Sequence, residues 1–219
     1  MAVALSEPHA LRFRAHPLVR ERTPNWRSAL PVMTGAGVTL REMRPADAAP
    51  LLAVVQDDQV SKFLAPPPET EAAFREFIRW THLKRSEGTY ACFAVAAAGS
   101  EEAAGFFQLR ALENTFVTAE WGFALGRAHW GTGIFSRGAE QLLRFAFEHA
   151  GVQRLEARAM AGNVRGNGAL RKMGALREGI LREGFARDGE RHDTYLWSIL
   201  QDEWRAKQTA QPLRLVPSR

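Results

Sequence analysis

Cysteine is almost missing from this chain of 219 residues: Cys92 stands alone. No intrachain disulfide can form, and a reducing, cytoplasmic setting is the expectation. No apolar run approaches the length of a membrane span. The first residues carry no apolar stretch of the kind a secretory signal needs, so no membrane partner is expected. No cysteine–histidine cluster has zinc spacing, and the six histidines are scattered. Lysine is scarce as well, with only Lys62, Lys84, Lys172 and Lys207, so arginine carries the formal net charge of +5. The basic residues are interleaved with Asp and Glu and form no stripe, which gives no clear nucleic-acid partner. Compositional bias explains the charge, and attraction of an anionic, nucleotide-like ligand is the functional alternative. Two phosphate-binding signatures are also missing. No Gly-Lys-Ser/Thr follows any glycine turn, and no six-residue dinucleotide fingerprint opens a βαβ unit.

What is present centres on Trp130-Gly131-Thr132-Gly133-Ile134-Phe135-Ser136. Before it, Glu120 to Leu125 reads as a strand. After it, Leu142, Leu143, Phe145, Ala146 and Phe147 fall at helical spacing. A strand, a glycine turn and a helix start form a local anion site, because free N–H groups point outward there and the helix dipole adds partial positive charge. Gly131 and Gly133 lack a Cβ, so phosphates can approach the backbone. On spacing alone, such a turn is equally a plain structural connection.

In chain order, residues 1–35 read as a basic N-terminal extension broken by Pro8, Pro17 and Pro24. It either packs on the domain or is partly disordered, and an RNA-touching arm is a further reading. One domain spans 36–206, and 207–219 is a tail. Val38 to Met43 alternates as a strand, and a helix follows over about 46–56. Asp57-Asp58 is a loop, and Pro66-Pro67-Pro68 stops the chain. The next helix presents Phe74, Phe77, Ile78, Trp80 and Leu83, either as core or as a wall of an acceptor pocket. Tyr90 to Ala97, Ala104 to Leu112 and Val117 to Leu125 form an antiparallel meander. A helix over about 134–150 crosses to a strand, Val152 to Met160, parallel to the one ending at Leu125. Asn163 to Gly168 breaks the chain, and Ala169 to Met173 is a short helix. Ala175 to Arg182 and Asp193 to Leu200 close the fold as a hairpin around Asp188-Gly189, with Trp204 and Arg205 ending the ordered part.

Four motifs in this order carry a resemblance: Glu120-Trp121-Gly122-Phe123, then His129 to Ile134, then Asn163 with Leu170-Arg171-Lys172-Met173-Gly174, then Asp193 to Ser198. Together they resemble the GCN5-related N-acetyltransferase (GNAT) superfamily over residues 36–204, and within it the RimJ/RimL-like, ribosomal-protein-alanine branch. The resemblance implies an α/β (α+β) fold whose central mixed, mostly antiparallel sheet has two splayed parallel strands and flanking helices. It implies acetyl-CoA as cofactor. The pantetheine arm is then expected beside Phe123, Ala124 and Leu125, and the pyrophosphate on N–H groups from Trp130 through Gly131, Thr132, Gly133, Ile134 and Phe135 to Ser136. Arg137 pairs with a phosphate or faces solvent, and Asn163 matches the family's asparagine after the second splayed strand.

Two positions depart from the family pattern. Phe135 is bulkier than the usual Gly or Ala, so its ring has to turn away from the pyrophosphate. Leu170 stands where many members place a tyrosine that protonates the leaving thiolate, which leaves water, Tyr195 or Ser136 for that step. The implied reaction is acetyl transfer to a primary amine, either a protein N-terminal α-amine or a small molecule. Amines near pH 7 are mostly protonated, so a base is needed, and Glu120 is the candidate, with Glu156 a second carboxylate. The competing class is a non-catalytic acyl-CoA-binding sensor or interaction domain. A homodimer is the default assembly for a soluble enzyme.

Overall fold

Alternation of Val38, Leu40 and Glu42 makes the first long strand, and the same period recurs through the chain to build one sheet. The computed structural model describes residues 25–210. Eight strands lie in the order β1-β2-β3-β4-β5-β6-β8-β7. They are β1 (Met33–Gly35), β2 (Val38–Glu42), β3 (Tyr90–Ala97), β4 (Gly105–Ala111), β5 (Thr118–Leu125), β6 (Arg154–Met160), β7 (Leu176–Arg187) and β8 (Glu190–Leu200). Every neighbouring pair is antiparallel except β5 and β6. This is the mixed, mostly antiparallel sheet with one parallel pair that the resemblance implies.

Two cores cover its faces. On one face Leu40, Phe93, Phe107, Leu109, Trp121 and Leu155 pack under α4 (Ile134–Arg144) and the π-helical turn Phe145–His149 that continues it. On the other, Tyr90, Cys92 and Phe106 pack under α1 (Ala48–Gln56), α2 (Asp58–Ser61) and α3 (Glu71–Ser86) through Leu51, Val55, Val60, Phe74 and Ile78. The start of α3 is set by Thr70, whose hydroxyl accepts from the Ala73 N–H at 3.1 Å. A bidentate pair between buried Arg41 and Asp47, both bonds 2.7 Å, ties β2 to the chain entering α1.

Several boundaries differ from the sequence expectation. Trp26 and Leu30 are buried in the first core, with Trp26 5.0 Å from the Phe116 ring, so the domain begins by Trp26 rather than at residue 36. Residues 1–24 lie outside the described residues, as do 211–219. The Asp57-Asp58 loop contains α2, because the Asp57 carboxylate caps it by accepting from the Gln59 N–H at 2.9 Å. The expected break at 163–168 is instead the start of α5 (Val164–Lys172). Asn163 caps this helix, its Oδ1 accepting from the Gly166 N–H at 2.8 Å. A Cβ at Gly166 would stand 2.5 Å from the Asn163 side chain, so the cap and the glycine require each other. Both hairpin strands are longer than expected, and α6 (Gln201–Ala210) carries the ordered chain past Arg205.

Candidate functional site

β5 and β6 pair only at Thr118↔Arg154, Ala119↔Leu155 and Glu120↔Glu156. Beyond Glu120 each strand keeps its outer partner, β5 following β4 as far as Leu125 and β6 following β8 as far as Met160. The two strands therefore diverge from Glu120 onward. The opening becomes a groove of about 1430 Å³, lined on its flanks by Trp121 to Leu125 and by Ala157 to Met160.

One end of the groove is the glycine turn. Gly131 has φ 76° and Gly133 φ 85°, both in the left-handed region, and Gly133 caps α4. Among the described residues, the N–H groups of Gly131, Thr132, Gly133, Phe135 and Ser136 have no hydrogen-bond partner. Such a cluster at a helix start suits a phosphate. The Thr132 hydroxyl folds back to donate to the His129 carbonyl at 2.8 Å, and the Ile134 side chain is buried in the core, so these two residues offer backbone alone. The Ile134 N–H leans on the Thr132 hydroxyl at 3.4 Å. Phe135 resolves the first departure from the family pattern. Its ring packs 4.6 Å from Phe123 and 5.8 Å from Phe107, inward and beneath the turn. Arg137 also folds back on the turn, donating to the Thr132 carbonyl at 3.3 Å.

Trp130 closes the side of the turn. Its indole N–H donates to the Leu125 carbonyl at 2.8 Å, and the Arg165 guanidinium lies 4.1 Å from its ring centroid. Phe123, Ala124, Leu125, Trp130, Gly131, Gly133, Phe135, Ser136 and Asn163 all line the groove. The structure thus brings together most of the residues expected at a cofactor, and what they form fits a pantetheine arm ending in a pyrophosphate. The asparagine's amide oxygen is spent on capping α5.

The other end of the groove holds Glu120, with its side chain 19% exposed and both oxygens engaged. Arg110 pairs with Oε2, and Arg158 pairs with Oε1 at 3.1 Å. Glu156 is not among the groove-lining residues. Its carboxylate is held by Arg154 at 2.9 Å and Arg158 at 3.4 Å, so the expectation of a second carboxylate is corrected. Tyr195 is corrected too: it does not line the groove, and Arg177 lies 4.6 Å from its ring centroid. Leu170 is buried at the groove wall and offers no proton. Ser136 does line the groove.

Sequence reasoning missed several polar residues, among them Tyr90, Arg110, Arg158 and Asn167. Tyr90 sits in the groove floor and donates to Gln108 Oε1, and burial holds its phenol far above the ordinary range, hence neutral. Cross-strand register puts Tyr90 opposite Arg110 and Arg110 opposite Glu120, a relation only the β3-β4-β5 pairing reveals. Asn167 was read as part of a break. Its amide donates to the Met160 and Asn163 carbonyls, each at 2.9 Å, while its oxygen accepts from the Trp197 indole at 2.9 Å. It pins the end of β6 to α5 and β8. The only sequence signal was a polar residue within the expected break.

A splayed parallel pair with an anion cradle at one end and a carboxylate at the other defines an acyl-carrier-dependent transferase site. The comparisons agree. The family model described as the acetyltransferase (GNAT) domain matches residues 38–176. The N-acetyltransferase p20 of Bacillus licheniformis, named as uncharacterized, is 28% identical over 168 residues, which is 76% of this chain and 94% of that one. YdaF of Bacillus subtilis strain 168, provisionally named a ribosomal N-acetyltransferase, is 27% identical over 78% of this chain and 94% of its own length. The solved structure of RimL, a ribosomal L7/L12 α-N-protein acetyltransferase in complex with coenzyme A, superposes with a TM-score of 0.72 at 18% identity, covering 79% of this chain and 99% of that one. This chain belongs to the GNAT acetyltransferase family, and its named relatives lie on the RimJ/RimL-like side that the motifs resemble. Among the described residues no helix is long and apolar enough to cross a membrane.

Proposed function

We propose that this chain transfers the acetyl group of acetyl-CoA to a primary amine, with Glu120 as the general base. The observation that carries the reading is the separation of β5 from β6 directly after Glu120, the only groove-lining carboxylate among the described residues, which then stands at the vertex of the opening. The N–H groups around Gly131, Gly133 and Ser136 would hold the pyrophosphate. The exposed backbone edge of β5 at Phe123 to Leu125 would take the pantetheine amides, as an added strand does. Attack of the neutral amine forms the C–N bond and breaks the C–S bond. The amine's proton passes to Glu120, and the thiolate leaves with water or the Ser136 hydroxyl as its proton source, because Leu170 supplies none. Without an acid the step is still feasible, since a thiol with a pKa near about 8.5 is a moderate leaving group.

Full engagement of Glu120 by two arginines, together with Leu170, favours a second reading, a domain that binds acyl-CoA without turnover. Release of free thiol from acetyl-CoA across a panel of amines separates the two, with a no-cofactor blank for Cys92. The expected result is amine-dependent release in the native protein and a loss of about 10²–10⁴-fold in kcat for Glu120→Gln. Thermal stabilisation by acetyl-CoA with no release from any amine would favour the binding domain.

A further inference from the structure

We infer that the acceptor amine also carries an acidic group, a carboxylate or a phosphate, and that this group frees Glu120 to act; the inference rests on the transferase reading above. The charge of the groove is lopsided. Among the described residues, Glu120 is the only acidic one lining it, against Lys62, Arg110, Arg158, Arg165 and Lys172. Arg165, at the start of α5, lies over Trp130 beside the glycine turn, where the phosphates of a coenzyme would meet it. Arg110 and Arg158 line the groove on either side of Glu120, Arg158 shared with Glu156, and this cationic lining repels polyamines and attracts an anion.

The pairing geometry adds a mechanism. Each Glu120 oxygen already faces a guanidinium: Oε2 accepts from Arg110, and Oε1 lies 3.1 Å from Arg158 in an ion pair. An amine that approaches Oε2 in that state competes with Arg110 for it. Arg110 is the looser partner, with its side chain 55% exposed against 37% for Arg158. A carboxylate or phosphate matches the guanidinium fork as well as Glu120 does. On arrival the acceptor's anion takes Arg110, and Oε2 is released beside the amine of the same molecule. The anion thus acts in specificity and in switching on the base. Phe77 and Trp80, stacked 6.0 Å apart on α3, wall this end and suit an apolar body between anion and amine.

Matched acceptors test the inference: phenylalanine against phenylalaninamide, O-phosphoethanolamine against ethanolamine, and spermine as the polycation. The expected result is a kcat/KM at least tenfold higher for the anionic member of a pair, and the pair that shows it distinguishes carboxylate from phosphate. In Arg110→Gln the ratio between anionic and neutral members falls toward one, and in Arg110→Lys much of it returns. Equal rates within both pairs, preference for spermine, or a ratio untouched by Arg110→Gln would overturn the inference. Calorimetry in the presence of coenzyme A supplies an arm independent of turnover. If no amine is acetylated but the anionic member still binds more tightly and loses that advantage in Arg110→Gln, the acceptor class stands and the transferase reading falls. If neither turnover nor binding favours the anion, the inference is wrong.

Discussion

At the scale of the residue, glycine and glutamate show how differently single positions constrain this site. Gly133 is required by conformation: its φ is 85°, while the Arg137 guanidinium that an added Cβ would meet at 2.5 Å is the end of a flexible side chain and can move aside. Gly133→Ala is expected to lower stability by about 1–3 kcal/mol, the usual range for a non-glycine residue held in a sparsely populated backbone region. Because the strain falls on the N–H cradle, it should also raise KM for acetyl-CoA more than it lowers kcat. Urea denaturation and steady-state kinetics on one preparation check both. Glu120 was legible in the sequence as a polar residue on an apolar strand. Its partners were not, since Arg110 and Arg158 lie on two other strands and meet it only through register. Cys92 is buried in the second core, and burial pushes its thiol far up, so it has no part in the chemistry described.

At the scale of the element, α5 shows where sequence reasoning stopped short. Gly166 and Gly168 suggest a loop, because glycine weakens a helix by about 1 kcal/mol relative to alanine. The helix forms because Asn163 caps it and Asn167 anchors it to β6 and β8, with Leu170 buried on its inner face. Asn163→Ala removes the cap bond and is expected to cost about 0.5–2 kcal/mol. A fall in the urea midpoint with an unchanged slope would register it, and Asn163→Asp, which keeps a capping oxygen, should recover most of the loss. The strand-turn-helix unit at Leu125 to Ile134 was readable because its signals are local. The parallel crossover was readable because only one handedness is usual. The length of the parallel pairing was not readable, and it is what opens the groove.

At the scale of the whole molecule, the ion pairs around Glu120 extend into a ladder across the sheet. Arg158 joins Glu120 to Glu156, and Arg154 joins Glu156 to Glu178, which also accepts from the Ser198 hydroxyl at 2.6 Å. Hydrogen bonds from Arg154 and Ser198 pull the Glu178 carboxyl down from 4.5 to about 2. A carboxyl depressed in the folded state contributes stability that is present above its unfolded pKa and is lost as the pH falls through the folded one. The stability gap between native protein and Glu178→Gln should therefore be steady above about pH 5 and close between pH 4.5 and 2. Glu178 is 38% exposed, so the gap is modest and shrinks further in high salt. Denaturation midpoints measured for both proteins across that range, at two ionic strengths, give the comparison.

The sequence by itself determined the order of the main elements, the glycine turn and the family, because each rests on signals within about ten residues: periodicity, caps and turn chemistry. It also placed Glu120 on the right strand. Tertiary structure alone decided that β5 and β6 part company after Glu120, that Phe135 turns inward against Phe123, and that Trp26 belongs to the core. It alone decided that Glu120 lies between two arginines. These are properties of strand register and of packing between distant segments. A register slip of one residue would send Glu120 to the opposite face of the sheet without changing any local pattern.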